Sequence, residues 1–118
     1  MQIRRGDIVI VELDPTKGSE QRGTRPCLVV QNDAGNANAP TTIVAPFTTS
    51  FDNDELYPFE VFVDADESPL RDDSVVLCSQ LRTVSIEHRI RENVGSIPDS
   101  RMDAVDTAIE YSLGLRDV

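Results

Sequence analysis

The chain has 118 residues, 39% of them apolar, and a net charge of −10, enough for one domain spanning 1–118 around a single core. No run of about 18 apolar residues occurs, which excludes a membrane-spanning helix, and the opening Met-Gln-Ile-Arg-Arg-Gly-Asp lacks the apolar core of a signal peptide, so the expected location is cytoplasmic. The acidic balance excludes nonspecific nucleic-acid binding by the whole surface, yet residues 1–25 are net +1 and residues 26–118 net −11, which leaves a small basic locus on an acidic body.

Short apolar runs between turn residues predict a β-rich domain. The first strand is Ile8–Leu13. A polar loop follows, and its end reads Gly18-Ser-Glu-Gln-Arg-Gly-Thr-Arg-Pro26. Gly18 and Gly23 permit backbone angles that other residues avoid, and Pro26 holds Arg25 extended just before the next strand, Cys27–Gln31. Arginine stays charged and donates two parallel hydrogen bonds, so Arg22 and Arg25 at the mouth of a sheet suit a phosphate.

Asn32–Pro40 is rich in Asn, Ala and Gly and reads as irregular. Thr42–Pro46 is the third strand. It runs into Phe47-Thr48-Thr49-Ser50, whose hydroxyls can position a phosphate or a ribose 2′-OH. Ser50–Tyr57 is an acidic loop, and Pro58–Val63 is the fourth strand. Asp64–Asp73 reads as a surface loop. Ser74–Gln80 is the fifth strand, which Arg82–Val84 continues after a break. Gln80 and Arg82 are two apart and would share one face of a strand. Glutamine can read a base edge, and arginine can hold a phosphate.

Ser85–Arg91 predicts a short helix and Glu92–Gly95 a short edge strand. Pro98-Asp99-Ser100 opens the last helix, with Ser100-x-x-Asp103 as a weak capping box. Met102, Val105, Ile109, Ser112 and Leu113 follow helical spacing and form its apolar stripe. The sum is a β-rich α+β domain, a small twisted barrel or half-barrel with a C-terminal helix.

Other features read as structural. Cys27 and Cys78 sit in apolar runs with no partner at metal-ligand spacing, and read as reduced, buried thiols. His88 is the single histidine, which excludes a two-histidine acid–base ribonuclease, and it reads as an exposed surface residue. Asp52–Glu55 and Asp64–Glu67 match no calcium-loop spacing and read as solvated acidic turns. Ten of the eleven cations are arginine and thirteen of the twenty-one acids are aspartate. That bias suggests salt adaptation, because an acidic surface keeps a protein soluble by self-repulsion. A melting temperature that does not rise between low and molar KCl would overturn this reading.

Five segments together resemble the MazF/PemK (Kid) family of ribonuclease toxins from toxin–antitoxin pairs. They are Arg4-Arg-Gly-Asp-Ile-Val-Ile-Val-Glu-Leu-Asp-Pro15, Gly18 through Asp33, Thr42–Thr49, Asp73-Ser-Val-Val-Leu-Cys-Ser-Gln-Leu-Arg-Thr83, and Asp103-x-Val-Asp-x-Ala-Ile-x-x-Ser-Leu-Gly-Leu115. The likeness covers nearly the whole chain and is closest to the Gram-positive branch. It implies an SH3-like or CcdB-like barrel and a homodimeric, metal-independent, cofactor-free endoribonuclease. The implied substrate is single-stranded RNA cut at a short sequence, with a MazE-like antitoxin as partner. The ribose 2′-OH would attack the adjacent phosphate, giving 2′,3′-cyclic phosphate and 5′-OH ends.

The same likeness assigns catalysis to Arg25 and Thr48. It assigns RNA contacts to Ser19, Glu20 and Gln21 and to Ser74, Gln80 and Arg82. Ser79 stands where some relatives carry an acid, which implies a shifted base preference. The chemistry is consistent, since a fixed arginine stabilises charge building on phosphorane oxygens. An ordinary arginine is a poor base, which leaves Glu20 as a candidate for removing the 2′-OH proton. The rival readings are a noncatalytic gyrase binder of the CcdB type and a nuclease-dead regulatory module. The arginine–hydroxyl pair favours the nuclease, because a gyrase binder has no need of it.

Overall fold

The computed structural model describes all residues, 1–118. Seven strands alternate with three helices: β1 (Asp7–Glu12), β2 (Thr24–Val29), α1 (Asp33–Asn38), β3 (Thr41–Thr48), β4 (Glu60–Val63), β5 (Ser74–Leu77), β6 (Arg82–Ser85), α2 (Ile86–Arg89), β7 (Ile90–Ser96) and α3 (Asp99–Ser112). All the pairings are antiparallel, in the order β4-β5-β3-β2-β1-β7, with β6 also on β3. The two end strands, β4 and β7, do not pair with each other, so the barrel is not closed.

β3 organises the sheet. One edge pairs with β2. The other pairs with β6 along Thr41–Val44 and with β5 at Phe47 and Thr48. The handover falls opposite a 3₁₀ turn, Cys78–Gln80, that joins β5 to β6. The apolar run expected as one strand over Ser74–Gln80 therefore ends at Leu77. Gln80 leaves the strand, and it does not share a strand face with Arg82.

The strands read as nearly unbroken apolar runs because both sheet faces are covered. Alternation sends Ile8, Leu28, Ala45 and Phe47 to one face and Val9, Val11, Cys27, Val29 and Val44 to the other. α3 covers the first face with Met102, Val105 and Ala108. Ile3, Leu13, Val84 and Ile90 close over the second. Burying each such aliphatic side chain contributes roughly 1.5–3 kcal/mol.

Four local expectations change. The segment expected to be irregular contains α1, whose N-cap Asn32 accepts the Gly35 N–H at 2.7 Å. Buried Asn36 ties that helix to β3, accepting from the Thr42 hydroxyl at 2.7 Å and donating to the Gln31 carbonyl at 3.0 Å. α3 begins after Pro98 with no side-chain cap, so Ser100 lies inside it rather than at a capping box. In its stripe Ala108 is buried, whereas Leu113 is 59% exposed because the helix ends beside it. β7 is longer than the Glu92–Gly95 expected.

Candidate active site

The loop between β1 and β2 carries most of the site. Val11 pairs with Arg25 across the two strands, and the Leu13 N–H donates to the Gly23 carbonyl at 2.9 Å, closing the hairpin. Gly18 and Gly23 have φ of +56° and +79°, angles that L side chains adopt only with strain. Residues 14–22 thus form a defined excursion rather than a tight turn.

Three side chains from the segment 80–89 hold this loop. Arg82 donates Nη1 to the Leu13 carbonyl at 2.5 Å. Arg89 donates Nη1 to the carbonyls of Glu12 at 2.9 Å and Asp14 at 2.7 Å. Gln80 reaches the tip, accepting from the Gln21 N–H at 2.7 Å through Oε1 and donating to the Ser19 carbonyl at 3.3 Å through Nε2.

Arg25 stands at the base of the loop. Its Nε donates to the Arg22 carbonyl at 2.8 Å, and its Nη1 donates to Gln21 Oε1 and, at 3.3 Å, to the Phe47 carbonyl. Three of the five guanidinium N–H bonds are thereby engaged. Both N–H bonds of Nη2 have no acceptor within the chain. Thr48 follows Phe47 at the end of β3, and its Oγ1 accepts the Ser50 N–H at 3.1 Å, which leaves the hydroxyl proton to donate elsewhere. Arg25 and Thr48 therefore share one corner of the sheet, on either side of the Phe47 carbonyl.

A cleft of about 380 Å³ opens beside them, lined by Leu13, Ser19, Glu20, Gln21, Pro46, Ser79, Gln80, Leu81 and Arg82. Six of the residues singled out in the sequence line it: Ser19, Glu20, Gln21, Ser79, Gln80 and Arg82. Arg25 and Thr48 lie outside the lining, joined to it through Gln21 and the Phe47 carbonyl. Glu20 is the one carboxylate on the wall, and its Oε1 accepts the Lys17 N–H at 2.5 Å.

Ser74 stands apart from this group. It is buried and pairs with Val63, on the face that carries Val61, Val76 and Phe47, and its hydroxyl donates to the Asp72 carbonyl at 2.9 Å. Thr48 pairs with Val75 and so belongs to the opposite face. Sequence reasoning also missed Leu13, Pro46 and Leu81 on the wall, and Arg89 as a clamp. Those three wall residues are apolar like any core residue, and the clamp's acceptors are backbone carbonyls, so neither leaves a motif.

The electrostatics agree with a buried base beneath a cationic rim. Burial pushes the Cys27 thiol up to about 12, while Arg25 and Arg82 pull it the other way. Both guanidiniums therefore act on the same buried thiol. Burial alone pushes Cys78 up to about 12. Both thiols are free and neutral at physiological pH. Away from the site, hydrogen bonds from the Arg5 backbone and the Asn36 side chain lower the Asp33 carboxyl. His88 is exposed on α2. Asp52 and Asp64 each cap a short 3₁₀ turn, accepting the N–H of Asp54 at 3.0 Å and of Asp66 at 2.8 Å. No helix is long and apolar enough to cross a membrane.

Known proteins share both the sequence and the fold. The chain is 42% identical over 117 residues to endoribonuclease EndoA of Bacillus subtilis (strain 168), covering 99% of each chain. It is 40% identical over 115 residues to endoribonuclease MazF of Staphylococcus epidermidis, covering 98% of this chain and 94% of that one. Among solved structures it is similar to MazF from Deinococcus radiodurans, with a TM-score of 0.79 and 26% identity over 97% of this chain and 98% of that one. A mycobacterial endoribonuclease solved with its cognate antitoxin shares the fold, with a TM-score of 0.80 and 22% identity over 97% of both chains. The model of the PemK-like, MazF-like toxins of type II toxin–antitoxin systems matches residues 4–113. With that match over nearly its whole length, and an arginine–hydroxyl corner beside an open cleft, the chain belongs to the PemK-like, MazF-like toxin family.

Proposed function

We propose that this protein is a MazF-type endoribonuclease toxin that cuts single-stranded RNA at a short sequence and is neutralised by an antitoxin. The observation that carries the reading is the state of Arg25. Three acceptors of its own chain fix the guanidinium, and both N–H bonds of Nη2 remain for a phosphate.

In this reading the flanking nucleotides lie in the cleft and the scissile phosphate sits between Arg25 and Thr48. The ribose 2′-oxygen bonds to phosphorus as its proton leaves, and the bond to the 5′-oxygen of the next nucleotide breaks. That oxygen takes up a proton, so the products are a 2′,3′-cyclic phosphate and a 5′-OH. Arg25 Nη2 donates to the phosphoryl oxygens as negative charge grows on them. A donor already in place when charge develops lowers the barrier most. The Thr48 hydroxyl donates to a second oxygen. Glu20, the one carboxylate on the wall, is the candidate base. The reading requires no metal or cofactor.

The relatives support the partners. The Deinococcus radiodurans MazF is solved in complex with MazE, and the mycobacterial endoribonuclease with its cognate antitoxin. For this chain we infer an antitoxin whose affinity rests mainly on apolar side chains, because the acidic body repels a merely acidic tail. We also infer a cytoplasmic homodimer of about 26 kDa, twice the 13.1 kDa chain, with the open sheet a variant of the SH3-like, CcdB-like barrel. A noncatalytic gyrase-binding role leaves the arginine–hydroxyl corner without a purpose.

The test is incubation of the purified protein with a long messenger RNA in EDTA, followed by mapping of the fragment ends. The expected result is cutting at one short sequence with 5′-OH ends. An intact RNA, or cutting that appears only when magnesium is added, would overturn the proposal.

A further inference from the structure

We propose that Gln80 is a positioning residue, a strap that fixes Arg25 through Gln21, rather than a reader of bases. The inference rests on the ribonuclease reading above and adds to it the means by which the arginine is held.

Apart from the local bond between the Thr16 hydroxyl and Asp14 Oδ1, residues 15–22 exchange hydrogen bonds with only two side chains outside that segment, Gln80 and Arg25 itself. Gln80 makes its two bonds to residues 19 and 21, whose carbonyl and N–H point to the same side. The side-chain amide thus acts as a short length of partner strand, with its acceptor on Gln21 N–H and its donor on the Ser19 carbonyl. Only one orientation of that amide satisfies both bonds. Once the Gln21 backbone is pinned, its side chain carries Oε1 to Arg25 Nη1. Two of the three anchors of Arg25, the Arg22 carbonyl and Gln21 Oε1, belong to this loop. The third, the Phe47 carbonyl, belongs to β3 and is the longest at 3.3 Å. Without Gln80, nothing from outside the β1–β2 hairpin holds the loop tip, because Arg82 and Arg89 bind only its stem, at the carbonyls of residues 12–14. Arg25 then keeps one anchor that does not move with the loop.

The same occupancy argues against base readout. Oε1 and one N–H of Gln80 are engaged in the free protein, so reading a base edge with both groups would require the strap to open.

The experiment compares Gln80→Ala, Gln80→Glu and Gln21→Ala with the wild type on a long RNA and on a short oligonucleotide carrying the mapped cut site. Gln80→Ala and Gln21→Ala should each lower kcat about tenfold, the loss of roughly one hydrogen bond's orientation of the arginine. KM should change less than about threefold, and the set of cut sequences should stay the same. Gln80→Glu keeps the acceptor that faces Gln21 N–H and should recover most of kcat at saturating RNA. An altered cut-site preference, or a raised KM with unchanged kcat, would overturn the proposal. A second readout needs no RNA. The Arg25 Nε–H signal in a ¹⁵N NMR spectrum should be dispersed and slow to exchange in the wild type and in Gln80→Glu, and averaged in Gln80→Ala. An Arg25 signal unchanged in Gln80→Ala would refute the strap even if the wild type cleaved no RNA, which would be a failure of the ribonuclease reading instead.

Discussion

The loops that follow β1 and β3 are held in different ways. The first, residues 14–22, is tied by Gln80, Arg82 and Arg89 from a segment some sixty to seventy-five positions away along the chain. The second, residues 50–58, holds itself. Its polar bonds join residues at most three apart, such as Asp54 N–H to Asp52 Oδ1 at 3.0 Å and Tyr57 N–H to Glu60 Oε1 at 2.9 Å. Ring packing on Phe59 and on Phe62 of β4 adds to this. Phe51 meets Phe62 edge-on with centroids 6.0 Å apart, and Tyr57 stacks on Phe59 at 5.2 Å. Directional bonds from a distant element fix where a guanidinium points, whereas ring contacts and local turns fix a surface without aiming a donor. In the proposed reaction the donor that must be aimed, Arg25, rests on the loop with the distant ties.

Removing the chemistry itself should give the largest effect. Arg25→Ala and Thr48→Ala should each lower cleavage by at least ~10²-fold with the fold intact, by analogy with loss of one donor to a developing oxyanion. Cleavage rates together with unchanged circular dichroism check this. Straining the first loop comes next. Gly23→Ala places a side chain at φ +79° with open space around it, so the effect is backbone strain of about 1–2 kcal/mol, read from the urea midpoint. Cutting one clamp is milder. Arg89→Met frees the Glu12 and Asp14 carbonyls, which water can reach, and should cost about 1 kcal/mol of stability by urea denaturation. In the second loop, Asp52→Ala removes a bond within an exposed turn and should change stability by less than about 0.5 kcal/mol in the same assay, with RNA cleavage unchanged. An Asp52→Ala effect as large as that of Arg89→Met would erase the distinction between the loops.

Features carried by a short stretch of sequence were legible in advance. The glycines and arginines of Gly18–Pro26 and the hydroxyls after β3 lie where the strand pattern predicts, because turn chemistry and alternation are local. Features decided by register or by tertiary partners were not. Ser74 is a candidate in the sequence, but its pairing with Val63 turns it toward the core, and only the register reveals that. The fifth strand ends at Leu77 although the apolar run continues, because Cys78 stays buried inside a 3₁₀ turn. α1 depends on Asn36 being satisfied by Gln31 and Thr42, which lie outside the helix. Arg89 and Gln80 grip backbone atoms, and a backbone atom has no residue identity to read.

In the proposed reaction at the Arg25–Thr48 corner the nucleophile is the ribose 2′-OH, so removing that one hydroxyl should abolish cleavage. An RNA oligonucleotide bearing the mapped cut site is compared, in EDTA, with the same oligonucleotide carrying a single 2′-deoxy nucleotide on the 5′ side of the scissile phosphate, using wild-type protein and Arg25→Ala. The account predicts that the wild type binds both, cuts only the all-ribose strand and leaves a 2′,3′-cyclic phosphate, while Arg25→Ala binds and cuts neither at a comparable rate. Cleavage of the deoxy-substituted strand, or an Arg25→Ala variant as active as the wild type, would contradict it.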